Sequence, residues 1–446
     1  IVEGNALRLD WEGVVPKANL NYIMGNPPFI GARMMGEEQK TDVNDIFPGW
    51  KNAGNLDYVA CWYKKAADLM RGTKVRSALV STNSVTQGEA VANLWKPLFA
   101  AGVHIDFAHQ TFRWDSEAKI KAHVHCVIVG FSTAPNTKPK ILFTGDRPQI
   151  VENINGYLVD AENVFVESRN KPICDVPEIG MGNQPIDNGN YLFTEEEKRE
   201  FINAEPAAEK WFKPWYGAQE FINRIPRYCL WLGDCPPHEL RKMPKCMKRV
   251  EAVREFRLSS KRASTVKIAD KPTRFQTENM PIGHYVSIPE VSSEKRRYVP
   301  MGYMDDSVLC SNKLRLMPNA SLYHFGILKS NVHMAWMRAV CGRLETRYDY
   351  SIKIVYNNFP RPTPTDAQKA KIEQTAQAIL DARALYPDAS LADLYDETTM
   401  PPELRKAHQA NDRAVMQAYG FDIKNTTEAS CVAELMKMYQ MLTENA

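Results

Sequence analysis

The sequence predicts an α/β fold for residues 1–150, a mixed α+β region for residues 151–360 and a small helical domain for residues 361–446. Strand-like and helix-like runs alternate in the first region, which is typical of an α/β sheet. Proline, glycine and aromatic residues become frequent in the second region, where the apolar runs are short. The third region begins with the stiff run Arg361–Thr365 and continues in amphipathic, helix-like segments.

The first region contains five strand-like runs and two helix-like runs. The apolar run Leu20–Met24 ends at Gly25, and the β-branched run His123–Phe131 is the most strand-like in the chain. Apolar residues recur at helical spacing between these strands. The strands are predicted over 20–24, 76–81, 103–108, 123–131 and 141–143, and the helices over 57–70 and 91–101.

One helix is predicted in the second region and three in the third. Asn331–Leu344 has helical periodicity around His333, Trp336 and Val340. Thr365 or Asp366 can cap the first helix of the third region, because both side chains accept a hydrogen bond from a free backbone amide. The helices of the third region are predicted over 366–385, 402–419 and 430–442.

Composition excludes several classes of protein. The 446 residues are 44% hydrophobic and 24% charged, which is ordinary for a globular protein, and no apolar run is long enough to span a membrane. The nine cysteines are scattered singly, so neither a disulfide framework nor a zinc ribbon is indicated and no metal is expected. We therefore expect a cytoplasmic protein in a reducing compartment. Because the chain starts at Ile1 without a signal segment, we expect it to begin inside a longer protein.

Positive charge is concentrated in one stretch of the chain. The net charge of the chain is only +3. The stretch from Arg241 to Arg274, however, contains twelve Lys and Arg residues and only three carboxylates, so the rest of the chain is net acidic. Such a local excess is typical of a surface that binds a phosphate backbone, although a solvated helix face would have the same composition. The candidate phosphate contacts are Arg241, Lys242, Lys245, Lys248, Arg249, Arg254, Arg257, Lys261 and Arg262.

The sharpest local pattern is the tetrad Asn26-Pro27-Pro28-Phe29, directly after the first predicted strand. An exocyclic amine is a poor nucleophile because its lone pair is delocalised into the ring or carbonyl. Two acceptors, the side-chain oxygen of Asn26 and the rigid carbonyl of Pro27, can draw the nitrogen towards tetrahedral geometry. Phe29 offers a flat face on which a flipped ring can stack. The pattern therefore predicts methylation of an amine without a cysteine nucleophile.

The tetrad resembles the fourth motif of the amino-methyltransferases of DNA, and its Asn and Phe fit the adenine-N6 branch. Two further segments are similar to motifs of that family. Residues 4–10 look like the end of the third motif, which makes Asp10 a candidate contact for the adenine of the cofactor. Residues 109–114 look like the eighth motif, which implies that Phe112, or else Trp114, closes over the second face of the extruded base.

The same resemblance implies S-adenosylmethionine as cofactor and a Rossmann-like class I methyltransferase sheet. The family holds this cofactor partly with a Gly-rich turn before the Asn-Pro-Pro motif, and the 25 residues before Asn26 contain no such turn. We therefore expect half of the cofactor site to lie upstream of Ile1 and the isolated chain to be inactive. Ser81, Thr82 and Asn83 end a strand at the same edge of the sheet and are candidates to line the pocket.

A narrower resemblance covers nearly the whole chain. Residues 227–234, 288–294, 324–328, 340–344 and 356–360 are similar to the target-recognition domain of the MmeI-like family of type IIL restriction-modification enzymes. The resemblance implies three domains: the end of an adenine-specific methyltransferase (1–150), a recognition domain (151–360) and a C-terminal helical domain (361–446). It also implies double-stranded DNA as partner and an upstream part of the same polypeptide that includes the rest of the methyltransferase, where members of the family also carry a nuclease domain.

The resemblance also directs attention to the stretch that follows the predicted helix 331–344. Glu345, Arg347 and Asp349 alternate there, so a strand would point all three to one side. Arg reads guanine with two hydrogen bonds and a carboxylate accepts one from cytosine, which makes these residues candidate base readers, with Lys313 as a further candidate. A local surface ion pair would give the same pattern of charges.

Two other functions remain open from sequence. One is a methyltransferase for another exocyclic amine, such as an RNA base or a protein glutamine, because the tetrad also serves those substrates. The other is a DNA-binding specificity module without catalysis.

Overall fold

The computed structural model describes residues 1–115 and 123–444. The chain divides into two compact units. Unit 1 comprises residues 1–174, 335–361 and 424–446, and unit 2 comprises residues 175–334 and 362–423.

Within the described residues the strands are β1 Tyr22–Gly25, β2 Arg76–Thr82, β3 His104–Asp115, β4 His123–Ser132, β5 Lys140–Thr144, β6 Arg147–Val151, β7 Gly180–Met181, β8 Leu192–Phe193, β9 Phe212–Tyr216, β10 Tyr228–Leu230, β11 Tyr285–Pro289, β12 Val291–Ser292, β13 Gly302–Met304, β14 Leu309–Cys310, β15 Leu314–Pro318, β16 Gly342–Leu344 and β17 Arg347–Asp349.

The helices of the same residues are α1 Trp11–Val14, α2 Glu37–Ile46, α3 Ala60–Met70, α4 Gly88–Ala100, α5 Glu195–Ala204, α6 Ala218–Asn223, α7 Pro237–Leu240, α8 Pro244–Leu258, α9 Ala263–Val266, α10 Leu322–Leu328, α11 Asn331–Val340, α12 Asp366–Ala384, α13 Leu391–Leu394, α14 Pro402–Ala418 and α15 Glu428–Glu444.

Unit 1 is built on a six-stranded sheet in the order β1-β2-β4-β3-β5-β6. β1 and β2 are parallel, as are β3 and β5, whereas β4 lies antiparallel between β2 and β3. All five strands expected from sequence are present, which confirms the α/β prediction. β6 was not predicted, because this edge strand is largely exposed and contains Pro148, which cannot donate a ladder hydrogen bond.

An aromatic core packs α3 and α4 against the sheet of unit 1. Tyr63 stacks on Phe131 at 5.3 Å between ring centroids, and Trp95 meets the edge of Tyr63 at 5.4 Å. The polar atoms of this core are satisfied, because Trp95 Nε1 donates to the carbonyl of Val85 at 2.8 Å. This packing fixes α3 and α4 against the sheet and so positions the loops at the carboxyl ends of β1 and β2.

The predicted helix 331–344 is shorter in the structure. α11 ends at Val340, and Gly342–Leu344 forms β16, which pairs with β17 in a hairpin. Glu345 adopts a left-handed conformation with φ of 59° in the turn of this hairpin. The expectation that Glu345, Arg347 and Asp349 share one strand is therefore wrong for Glu345, whereas Arg347 and Asp349 lie two residues apart on β17 and share a face.

Unit 2 contains two four-stranded sheets and a group of packed helices. The sheets have the orders β14-β9-β10-β8 and β13-β11-β15-β7. α10 packs closely on α12 at Gly326. A Cβ atom on this residue would lie only 2.7 Å from Cγ2 of Ile372, so only glycine fits there. Of the helices expected in the third region, α12 and α14 belong to unit 2 and α15 to unit 1.

Unit 2 buries an aspartate among these helices. Asp412 accepts hydrogen bonds from the hydroxyl of Tyr298 at 2.6 Å and from the backbone amide of Asn331 at 2.8 Å. Burial nevertheless raises the pKa of Asp412 to about 6, because water solvates the carboxylate better than two donors do. The fold therefore favours the protonated form of this side chain.

We expect Asp412 to make stability fall as pH rises. The pKa of Asp412 is higher in the folded than in the unfolded state. Its contribution to the free energy of unfolding is therefore complete below about pH 4 and is lost as pH rises through about 6. The total loss is about 3 kcal/mol. The free energy of unfolding of Asp412→Asn minus that of the parent protein should therefore increase between pH 4 and pH 7. Asp393→Asn is the control, because hydrogen bonds from Ser390 lower the pKa of Asp393, so its effect on stability changes only below about pH 4 and the same difference should stay flat between pH 4 and pH 7. A difference for Asp412→Asn that is independent of pH would contradict the prediction.

Candidate active site

The Asn26–Phe29 tetrad lies at the carboxyl end of β1, where ligands of α/β sheets bind. The register places Gly25, the residue before it, opposite Leu79 of the neighbouring parallel strand β2. Pro27 is buried and Phe29 half-buried, whereas Asn26 is exposed. The tetrad is thus anchored through its first proline and presents the carboxamide of Asn26 outwards.

A first cavity of about 810 Å³ opens beside the tetrad and includes Asn26, Pro27 and Pro28 in its wall. The remaining wall comes from the segment before β1, from β1 itself and from α3, and it contains the aromatic side chains Trp11, Tyr22, Tyr58 and Trp62. Such walls suit a flat, partly apolar ligand.

A buried aspartate fixes one side of this first cavity. Asp42 accepts hydrogen bonds from the Tyr58 hydroxyl at 2.6 Å, Arg8 Nε at 2.8 Å and Asn5 Nδ2 at 3.1 Å. Burial alone would raise the pKa of Asp42, but the hydrogen bonds from Arg8, Tyr58 and Asn5 outweigh it and hold this pKa below its usual value. Burial also raises the pKa of Tyr58 to about 12, so its hydroxyl stays a donor at neutral pH.

Asp10 does not line the first cavity in the way the sequence suggested. Its neighbours Leu9 and Trp11 contribute to the wall, whereas the Asp10 carboxylate caps α1 by accepting from the amide of Glu12 at 3.1 Å. The segment that carries Asp10 is thus at the cavity, but the side chain itself caps the amino-terminal end of a short helix.

A second cavity of about 670 Å³ lies at the carboxyl end of β2. Its wall joins the loop after the tetrad, the residues that follow β2, the start of β4 and the β16–β17 hairpin. The lining residues are Ala32, Arg33, Gly54, Asn55, Leu56, Asp57, Thr82, Asn83, Ser84, Val85, Gln87, Gly88, Glu89, Ala90, Val124, His125, Gly342, Arg343, Glu345 and Asp349. The structure therefore brings two predicted pocket residues, Thr82 and Asn83, together with two predicted base readers, Glu345 and Asp349.

Two glycines allow the hairpin to approach the start of α4 closely. Gly88, at the start of α4, has φ of 54°, and a Cβ atom there would lie 3.4 Å from both the amide nitrogen and the Cα of Gly342. Ser81, the third predicted pocket residue, faces the opposite way, because its hydroxyl pairs with the Tyr63 hydroxyl at 2.8 Å in the core.

An ion pair orders the tip of the hairpin. Arg347 Nη2 lies 3.0 Å from Glu345 Oε2, and both side chains are exposed to solvent, with 44% and 78% of their area accessible. Arg343, which the sequence did not single out, stacks on Tyr348 with its guanidinium carbon 4.1 Å from the ring centroid. Lys313 lies in unit 2, where its Nζ is 2.9 Å from Glu290 Oε2. The local ion pair between Glu345 and Arg347, which the sequence left open as the alternative to base reading, is thus present.

The two aromatic candidates occupy the end of β3. Phe112 is half-buried and Trp114 is 44% exposed, and their ring centroids are 6.2 Å apart. The register pairs Trp114 with Val124, which lines the second cavity. Both rings therefore lie on β3, which pairs with a strand that lines this cavity, but neither residue is part of the cavity wall.

The basic stretch forms α8, α9 and the turns around them in unit 2. Most of its predicted phosphate contacts are exposed, and Arg249 lies half-buried with its guanidinium 5.0 Å from the ring centroid of Phe193. The exposed members are Arg241, Lys242, Lys245, Lys248, Arg254, Lys261 and Arg262.

Arg257 does not fit the predicted role in phosphate binding. It is fully buried, and its guanidinium donates to the carbonyl oxygens of Pro185, Ile186, Ile268, Lys271 and Arg274 at 2.8–3.1 Å. A guanidinium that is saturated by backbone acceptors has no donor left for a phosphate. The spacing to the buried residues Cys246, Val250 and Val253 places Arg257 on the inner face of α8, and this spacing is readable from sequence.

No helix in the described part of the chain is long and apolar enough to cross a membrane. Within residues 1–115 and 123–444, no group of three or more His, Cys, Asp or Glu side chains is arranged to hold a metal ion. All nine cysteines are free thiols, and all but Cys174 are buried.

Comparison with family models covers almost the whole chain. Residues 1–144 match "MmeI, DNA-methyltransferase domain", residues 160–363 match "MmeI, target recognition domain" and residues 364–446 match "MmeI, C-terminal domain". By these matches the chain contains a methyltransferase domain of the MmeI type, followed by a target-recognition domain and a C-terminal domain. The chain belongs to the MmeI-like family of type IIL restriction-modification enzymes.

Two relatives illustrate the match. "DNA methyltransferase A" of Bacillus subtilis (strain 168) is 39% identical over 442 residues, which are 99% of this chain and 50% of that protein. A solved structure, the type IIL restriction-modification enzyme MmeI in complex with DNA, is 44% identical with a TM-score of 0.93 and matches 99% of this chain and 60% of that chain. The chain thus spans about half the length of the curated relative it matches.

Proposed function

We propose that the protein containing this chain methylates N6 of adenine in duplex DNA, with S-adenosylmethionine as methyl donor and the target base rotated out of the helix. The observation that carries the proposal is the position of Asn26-Pro27-Pro28-Phe29. Its first three residues line the first cavity, and the loop that continues from it lines the second. The tetrad therefore lies between a site for the donor and a site for the base.

The first cavity fits the adenosyl part of the cofactor. Its aromatic side chains can contact a purine, and Asn26 and Asn5 supply polar groups in a mostly apolar wall. The bound cofactor supplies an electrophilic methyl group on a sulfonium. Tyr58, held by Asp42, fixes one side of this wall, and Asp10 acts on the same region through the backbone of α1.

The residues of the tetrad have separate tasks in this proposal. The Asn26 side-chain oxygen and the Pro27 carbonyl accept the two hydrogens of the adenine amine, which localises the nitrogen lone pair towards the methyl group. Phe29 stacks on one face of the base, and Phe112, or else Trp114, covers the other. With a methyl donor bound, these residues would hold the amine nitrogen towards the methyl group that the donor supplies, and the methylated amine would release one proton to solvent.

The β16–β17 hairpin reads bases in this proposal. Glu345 and Asp349 present acceptors at the second cavity, and Arg347 presents donors, held in place by its pairing with Glu345. Lys313 is a further candidate for base contact. The exposed Lys and Arg residues of α8 and its surroundings contact phosphates, which position the protein without reading sequence.

The direct test offers the full-length gene product three substrates with a radiolabelled methyl donor: duplex DNA, structured RNA and a total protein extract. We expect label in DNA only, recovered as N6-methyl-2′-deoxyadenosine after digestion to nucleosides and mass spectrometry. Label in RNA or in glutamine would favour the other amine substrates. Binding to duplex DNA without transfer to any substrate would favour the non-catalytic specificity module.

Arg347→Ala is expected to relax selectivity at a single base pair. If Arg347 donates two hydrogen bonds to a guanine, its loss lowers the discrimination at that base pair by about 1–3 kcal/mol. Discrimination at the other base pairs of the site stays unchanged. The measurement is the set of methylated sites of the variant, read across a host genome by sequencing that detects N6-methyladenine. Arg405→Ala is the matched control, because Arg405 forms a comparable ion pair with Glu397 at 3.0 Å on α14. Unchanged stringency in Arg347→Ala would leave only the ion pair as its role.

A further inference from the structure

A methionine beside the catalytic tetrad is almost completely exposed. Met34 lies eight residues after Asn26 in a short 3₁₀ turn, Ala32–Met34, and 81% of its area is accessible to solvent. Its neighbour Met35 is only 6% exposed and anchors the same loop in the core of unit 1. An unbranched apolar side chain gains nothing from water contact, so packing within unit 1 does not explain the position of Met34.

The loop that carries Met34 is tied to two other segments. The amide of Ala32 donates to Asp57 Oδ1 at 2.9 Å, and the amide of Tyr58 donates to the carbonyl of Ile30 at 2.9 Å. Asp57 also accepts from the hydroxyl of Ser84, the residue two positions after β2. One carboxylate therefore joins the loop after the tetrad, the start of α3 and the carboxyl end of β2.

The turn itself is closed by a further hydrogen bond, from the amide of Met34 to the carbonyl of Gly31 at 2.8 Å. Arg33, next to Met34, lines the second cavity together with Glu345 and Asp349 of the hairpin, and its side chain is exposed. Met34 thus follows directly after a residue of the cavity that receives the base in our proposed function, on a turn fixed by these hydrogen bonds.

We infer that Met34 is a positioning residue that enters the DNA stack and fills the gap left by the extruded adenine, while Arg33 contacts a neighbouring phosphate. Extrusion breaks stacking on both sides of the target base, and an inserted apolar side chain restores part of that contact. Methionine suits this task because it is long, unbranched and adaptable in shape. The inference rests on the proposed function, because it requires that the protein act on a flipped base in duplex DNA.

The test compares Met34→Ala with the parent on two duplexes that contain the methylated site found by genome sequencing. In the first duplex the target adenine is paired with thymine, and in the second it faces an abasic position and is already unpaired. We expect kcat/KM of Met34→Ala to fall about tenfold on the paired duplex and to stay within twofold of the parent on the second. Met441→Ala is the matched control, because Met441 is 61% exposed on α15 of the same unit.

A second readout reports extrusion directly. Replacement of the target adenine by 2-aminopurine gives a fluorescence increase when the base leaves the stack, and we expect a smaller increase with Met34→Ala than with the parent. Asp57→Asn weakens the hydrogen bonds that Asp57 accepts from Ala32 and Ser84, and it should also make the fluorescence increase smaller. Equal losses on both duplexes, or an unchanged fluorescence increase with Met34→Ala, would overturn the inference. If the parent itself methylates DNA with no fluorescence increase, base flipping in the proposed function fails as well.

Discussion

Asn26→Ala in the full-length gene product is expected to lose methylation by about 10³-fold while duplex affinity stays within a few-fold of the parent. In the proposed function the carboxamide oxygen accepts a hydrogen bond that strengthens only as the adenine amine becomes nucleophilic, so its loss is expected to act on the transition state rather than on binding. Binding persists because the exposed basic residues of α8 and the β16–β17 hairpin lie in other parts of the sequence.

Two further variants make this result specific. Asn26→Asp keeps an acceptor at the same position, so we expect partial activity, well above that of Asn26→Ala. Asn21→Ala removes an exposed carboxamide just before β1 and should behave like the parent, because Asn21 contributes its backbone carbonyl to Arg76 and not a side-chain contact of the tetrad. Single-turnover methylation at saturating donor and DNA is the measurement. A near-parental rate for Asn26→Ala would remove Asn26 from the catalytic residues.

The sheet of unit 1 was largely predictable because its signals are local. Each strand from β1 to β5 is an apolar or β-branched run, and α3, α4, α12, α14 and α15 have helical periodicity in the sequence alone. The end of α11 was not predictable in this way. Residues 342–344 continue the helical pattern, but they pair with β17 in the folded chain, and Gly342 packs on Gly88, which is 254 residues away. Tertiary contact overrides local preference there.

The candidate site was predictable only in part, for the same reason. Asn26–Phe29 carries its chemistry in four consecutive residues, so the sequence contains the whole signal. Asp57 acts through hydrogen bonds to Ala32 and Ser84, each at least 25 residues away, and a single aspartate before a helix gives no sign of that. Arg257 shows the reverse error: a run of charges indicates a basic surface, and only the helical spacing of Arg257 from Cys246, Val250 and Val253 tells that this member turns inward.

The exposed basic residues of α8 should control affinity for DNA without affecting selectivity. We expect the combination Lys245→Ala, Lys248→Ala and Arg254→Ala to weaken binding about a hundredfold near 0.15 M salt, equally for duplexes with and without the methylated site. Each lost phosphate contact removes the release of condensed cations, so the slope of log affinity against log salt should decrease by about 0.9 per contact. Arg249 is left in place because it packs on Phe193, and its replacement would mix a packing effect with the loss of charge.

A triple variant with the same change in charge is the control for this prediction. Lys371, Lys406 and Arg413 are exposed on α12 and α14 of the same unit, so their replacement by Ala lowers the net charge equally at another surface. If binding depends on the net charge of the protein, both triple variants lose affinity alike; if it depends on contacts of α8, only the first does. Loss of a phosphate contact shifts all sequences together, whereas loss of a base contact changes the order of preference among them. An unchanged salt slope in the α8 variant would place the phosphate-binding surface elsewhere.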